Sequence, residues 1–175
     1  MMTENSTVPS VTERVQSAFK KTPSKMTVQL ARELGVPEAD VVRALPDNLS
    51  QELDLNRWEE LIRSFEDLDK VHVICSNGAV TLESFGQFGN FSTFAEFFNV
   101  QTSSLDMHIR FGQLGSIFAV TKPSHMDGHN TLSIQFFDRS GNSAFKVFLT
   151  FGGKSPDPNR VEQFQTLKSK FGKNS

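Results

Sequence analysis

Tyrosine is absent from this chain, and tryptophan and cysteine each occur once. A lone cysteine, Cys75, cannot form an intrachain disulfide, which points to a reducing compartment. No apolar run approaches the roughly 20 residues needed to cross a bilayer. The first ten residues, Met1 to Ser10, are polar and lack the apolar segment of a secretory signal. An excess of basic residues is also missing: the net charge is −2 and the pI about 6.1. That balance argues against a non-specific nucleic-acid binder and against an electrostatic membrane anchor. The expectation is a cytoplasmic protein without nucleic-acid or membrane partners.

What the chain does have is phenylalanine, 17 residues of it, most of them after residue 84. Phenylalanine packs without a polar handle. It signals either a large apolar core or an apolar surface that receives a ligand or partner. At 175 residues the chain is long enough to bury a core without disulfides or metals. We expect a disordered tail over 1–10, a helical region over 11–55 and an antiparallel-sheet domain over 56–175, with no internal repeat.

Hydrophobic periodicity supports that division. Ser10 and Glu13 have capping-box spacing, and Val11, Val15, Ala18 and Phe19 share one helical face before Pro23 and Ser24. A second helix runs from about Thr27 to Leu34, with Gly35 as its stop. Pro37 opens a third that ends near Pro46, and a fourth starts near Asn56 with Trp58, Leu61, Ile62, Phe65 and Leu68 facing inward. Period-two alternation then takes over at Val71, Val73 and Cys75, followed by the hairpin signal Asn77-Gly78. Ser92 is placed to cap a short Phe-rich helix through Phe98. A clean strand follows, with Leu105, Met107, Ile109 and Phe111 on one side and Asp106, His108 and Arg110 on the other. Leu114 to Thr121 is a nearly continuous apolar strand, and Leu132–Phe137 and Ala144–Phe151 form a hairpin across Asp138 to Asn142. Asn159 caps a last helix. Helices first, strands next and one helix last give an α+β class with an antiparallel sheet.

Several motifs fail on inspection. Gly153-Lys154-Ser155 resembles the end of a phosphate loop, but Phe148 stands where the leading glycine belongs and Pro156 interrupts the helix. Residues 26–45 have helix-turn-helix spacing, yet the recognition helix would open on Pro37-Glu38-Ala39-Asp40, which repels phosphate. His125, Asp127 and His129 share a loop with Gly128, a poor framework for a chelating helix. Cys75, on the side of Val71 and Val73, reads as an inert buried thiol. His108 and His72 lie mid-strand, where a histidine is either a surface group or a ligand.

One set of residues is more specific. Ser133-Ile134-Gln135-Phe136-Phe137-Asp138, then Gly141, then Ala144-Phe145-Lys146-Val147-Phe148-Leu149, resembles the signature hairpin of the ChuX/HutX family of intracellular haem-utilisation proteins. Asn77-Gly78-Ala79-Val80 lies in the place of that family's first central hairpin. Phe98-Asn99-Val100 with His108-Ile109-Arg110 resembles its next strand pair, and Lys122-Pro123 through Met126 resembles its Lys/Arg-Pro-Phe-Met loop. The likeness covers about residues 57–150, and more loosely 27–45.

The resemblance implies a single-copy α+β fold, commonly a homodimer, that binds haem (b-type, non-covalent) and passes it to other proteins without being an enzyme. One of the family's two haem-associated histidines falls on His108, the candidate iron ligand. The other falls on Ser76, a mismatch. His72 is on the same side as Ser76 but four residues away, about 13 Å along a strand. A single imidazole can hold haem iron on one side, with Arg110 and Lys122 as candidate propionate contacts by position. The alternatives are a haem-free interaction protein on the same scaffold, and an enzyme acting on a tetrapyrrole.

Overall fold

The computed structural model describes residues 8–173 of the chain; the part of the expected tail before residue 8 lies outside it. Helices α1 (Val11–Lys21), α2 (Thr27–Leu34) and α3 (Glu38–Arg43) come first. The capping box at α1 is present: Ser10 Oγ accepts from the Glu13 amide while the Glu13 carboxylate accepts from the Ser10 amide. Gly35 ends α2 in the left-handed conformation, at φ +65°. Pro37 sits at the N-cap of α3, one position earlier than its sequence suggests.

Strand β1 (Ser50–Leu53) follows, a strand that no periodicity announces. Helix α4 (Trp58–Ser64) is flanked by single 3₁₀ turns at Leu55–Arg57 and Phe65–Leu68. Next come β2 (Val71–Ser76), β3 (Thr81–Gly86), β4 (Phe91–Phe94), β5 (Phe97–Gln101), β6 (Asp106–Arg110), β7 (Leu114–Pro123), β8 (Asn130–Asp138) and β9 (Ser143–Thr150). Helix α5 (Pro158–Phe171) closes the chain, capped by the Asp157 carboxylate rather than by Asn159.

The strands form two antiparallel sheets. The larger has the order β1-β7-β8-β9-β2-β3, and the smaller is β4-β5-β6. The fold is α+β, as the pattern of elements predicts. The helix expected over 92–98 is instead the β4–β5 hairpin, with Ala95 at φ +51° in its turn. Packing overrides local propensity here. As a strand, β5 buries Phe98 and Val100 completely, and Phe98 meets the Trp58 ring edge-on at 5.3 Å.

The main core lies between the inner face of the large sheet, helices α4 and α5, and the small sheet. Val73, Ile117, Ile134, Phe136 and Val147 contribute from the large sheet, Leu61 and Phe65 from the α4 segment, and Phe164 and Phe171 from α5. A second cluster on the outer face joins Phe118, Val120 and Phe137 to Phe19, Ala39, Val42 and Leu45 of the N-terminal helical segment. The N-terminal helices therefore cover one part of the outer face, and among the described residues β3 is a free sheet edge.

Candidate functional site

A cleft of about 470 Å³ opens where β6, the edge of the small sheet, approaches the inner face of the large one. Val73 and Cys75 of β2, Leu82 and Ser84 of β3, and Ala144 and Phe145 of β9 form one wall. Leu105 and residues Asp106 through Arg110 form the other. The cleft is thus mainly apolar with a few charged groups, the general character of a small-molecule site.

His108 belongs to this cleft and is more than half exposed. Cross-strand register places it directly opposite Asn99, and Asn99 opposite Ser92. Its Nδ1 is 2.7 Å from Asn99 Oδ1, while the Asn99 amide nitrogen donates to Ser92 Oγ at 3.1 Å. Nε2 lies 3.6 Å from an Asp106 carboxylate oxygen, beyond direct hydrogen-bond reach. Arg110, two residues on, pairs with Glu96 at 3.0 Å and lies over the Phe97 ring. Two of the sequence candidates, His108 and Arg110, therefore share one cleft.

The other three stand elsewhere. Ser76 is on the outer face of β2, where its hydroxyl meets Thr81 Oγ1 at 3.0 Å and accepts from the Gly78 amide at 3.3 Å. It supports the hairpin turn. His72, also outward, is only 4% exposed. Its ring stacks on Phe85 at 4.2 Å and meets the edge of Phe151 at 4.3 Å. Glu83 Oε2 approaches its Nε2 to 2.8 Å, but out of line, and among the described residues neither ring nitrogen has a well-directed hydrogen bond. His72 is a packed aromatic, closed off from the cleft by the sheet itself.

Lys122 is the clearest departure from expectation. It is buried on the outer face, donating to the carbonyls of Ser24 at 3.0 Å and Pro123 at 2.9 Å. Burial, with a lesser push from Lys146, lowers its pKa to about 8. A strand shows its alternation but not what a helical linker will lay across it, so Ser24 could not be foreseen. Lys122 ties the α1–α2 linker to the sheet and does not reach the cleft.

Cys75 faces the core side as expected but is only half-buried, and desolvation raises its thiol pKa. The loop carrying His125 and His129 is organised by Asp127. Its carboxylate accepts from the backbone amides of Gly153 and His129, which hold its pKa below the usual carboxylate range. Asn99, the partner of the His108 ring, is marked by no sequence motif; its place opposite His108 follows only from the two-strand register.

The residues present fit a haem group: an apolar slot, an accessible imidazole and a guanidinium at one rim. The chain is similar to several known proteins. The intracellular heme transport protein HutX of Vibrio cholerae is 22% identical over 165 residues, 93% of this chain and 84% of that protein. The solved structure of the heme binding protein ChuX superposes with a TM-score of 0.78 at 22% identity, over 89% of this chain and 97% of that one. The heme degrading enzyme ChuS of Escherichia coli O157:H7 gives 0.74 at 21% identity, over 94% of this chain but 47% of that one. The haem utilisation ChuX/HutX family profile matches residues 51–167, and the chain belongs to this family.

Proposed function

We propose that this protein binds haem in the cleft beside β6 and acts as a cytoplasmic haem carrier in haem-iron utilisation, not as an enzyme in its own right. The observation that carries this reading is His108, an accessible imidazole on the strand that forms one wall of a mainly apolar cleft. His108 is the iron ligand, and Val73, Leu82, Leu105 and Phe145 supply apolar contact for the macrocycle. Arg110 meets a propionate by exchanging its pairing with Glu96. Lys122 and His72 have no part in the site. Bound haem would supply an iron centre with one protein ligand, and the chain's task is to hold and release it. A homodimer is part of this reading. It is supported by the free β3 edge, on which Leu82 and Phe85 are exposed. Sedimentation of the purified protein should give about twice the chain mass; a monomer at micromolar concentration would remove that element.

The main test is a haem titration followed at the Soret band, wild type beside His108→Ala. The expected result is saturable binding at about one haem per chain, weakened at least ten-fold in the variant. Binding unchanged in the variant would move the site. Binding no better than to an unrelated control protein would favour a haem-free interaction protein. Ser76, committed to its own hairpin turn, is the observation behind that second reading. Adding reductant to the loaded protein should leave the haem intact; steady conversion to biliverdin would make it an enzyme.

A further inference from the structure

We infer that Asn99, held by Ser92, is a positioning residue that fixes the tautomer of His108 and so presents a bare Nε2 to the iron of a bound haem. The inference rests on the haem-binding reading and deepens it.

The three residues form a single cross-strand row over β4, β5 and β6. Asn99 is the middle member and is only 7% exposed. Its amide can face two ways. In one, Nδ2 donates to Ser92 Oγ and Oδ1 accepts from the His108 Nδ1–H. In the other, both partnerships reverse and His108 carries its proton on Nε2. The 2.7 Å separation between Oδ1 and Nδ1 suits a short N–H···O bond. An N–H···N contact is ordinarily longer. Ser92 Oγ at 3.1 Å completes the first arrangement, because a hydroxyl accepts while keeping its own proton for solvent.

The consequence is chemical. A neutral imidazole binds iron through the nitrogen that lacks the proton, and the bond made by the other nitrogen decides which that is. Without a partner, the Nε2–H form of a histidine side chain is the commoner, and it has no lone pair to offer at Nε2. Asn99 reverses this preference before haem arrives. Asp106 does not cap the nitrogen, since it stays 3.6 Å away. An amide also differs from a carboxylate in this position. It fixes the same tautomer and orients the ring without adding negative charge. That combination suits a protein that must let its cargo go.

Long-range 1H–15N correlation spectra of the haem-free protein at pH 8, where an ordinary histidine is neutral, read the tautomer directly. The expected spectrum for His108 shows a protonated Nδ1 and a bare Nε2. Asn99→Leu should shift the proton to Nε2 and weaken haem binding by about ten-fold. Asn99→Asp should keep the Nδ1–H form and retain haem binding. Ser92→Ala should mix the two tautomers.

A wild-type spectrum with a bare Nδ1 overturns the inference, and this needs no variant to fold. A tautomer switch in Asn99→Leu with unchanged haem affinity also overturns it, while leaving the carrier reading intact. A wild type that binds no haem defeats the carrier reading itself, which the titration registers separately from the spectrum.

Discussion

The two faces of the large sheet are each packed over part of their area, but by different chemistry. The inner face is mainly apolar: Val73, Ile117, Ile134, Phe136 and Val147 interlock with α4, α5 and the small sheet. The outer face mixes an apolar cluster around Phe118 and Phe137 with buried polar groups. Glu38 of α3 accepts from Thr27 at 2.6 Å and from Lys146 of β9 at 2.5 Å. Gln135 and Ser133 bond one another, and Lys122 reaches across to the α1–α2 linker. Apolar packing holds the inner face together by area, whereas the outer face is held by a small number of specific pairings. An apolar contact tolerates sliding, but a buried ion pair fixes one docking position at a cost in desolvation. The helical cap is thus pinned to the sheet at defined points, and the cleft is left on the opposite side.

That contrast can be broken by substitution. Lys146→Met leaves Glu38 buried without its cation and should lower stability by about 3 kcal/mol in urea unfolding. Adding Glu38→Leu should restore most of that loss, because removing both charges removes the desolvation cost as well. Phe136→Ala on the inner face should cost a similar amount, about 3–5 kcal/mol, through loss of packing. A second substitution has no means of restoring it. If the double variant is no more stable than Lys146→Met alone, the outer face is held by packing like the inner one.

The inner face was largely legible in the sequence, and the outer one was not. Val71, Val73 and Cys75 alternate, as do Leu105, Met107 and Ile109, and each set lies where its period places it. The β8–β9 hairpin was read from Asp138 to Asn142 for the same reason. The outer face resisted because its partners are distant: Lys122 with Ser24, and Lys146 with Glu38. Periodicity says which side a residue faces, not what segment covers it. Lys122 thus carried a propionate role that its burial removes. The Phe91–Phe98 segment misled in another way. Its Ala95 and Glu96 favour a helix locally, and only Trp58 and the small-sheet core make the hairpin preferable. In the candidate site, resemblance and strand position single out His108. Asn99 draws notice only through the register that sets it opposite His108.

The smaller effect concerns Lys122 and pH. Its pKa in the folded protein is about 8, against an ordinary value of 10.5, because burial penalises the ammonium. Between those two values the unfolded chain holds a proton that the folded chain has released. Stability contributed by this group therefore rises with pH through that window. One pKa unit corresponds to about 1.4 kcal/mol, and the gain from pH 8 to 9.5 should be roughly 1.5 kcal/mol. Cysteine titration also falls in this range, so the comparison must be made against Lys122→Met. That variant loses the two hydrogen bonds to Ser24 and Pro123 and should be less stable at pH 8. The wild-type advantage over it should widen as pH rises to 9.5, because the neutral amine keeps a donor without carrying a buried charge. A constant difference between the two would mean that Lys122 keeps its ordinary pKa. The outer face would then hold this cation without strain, and the contrast with Lys146 and Glu38 would narrow to a single ion pair.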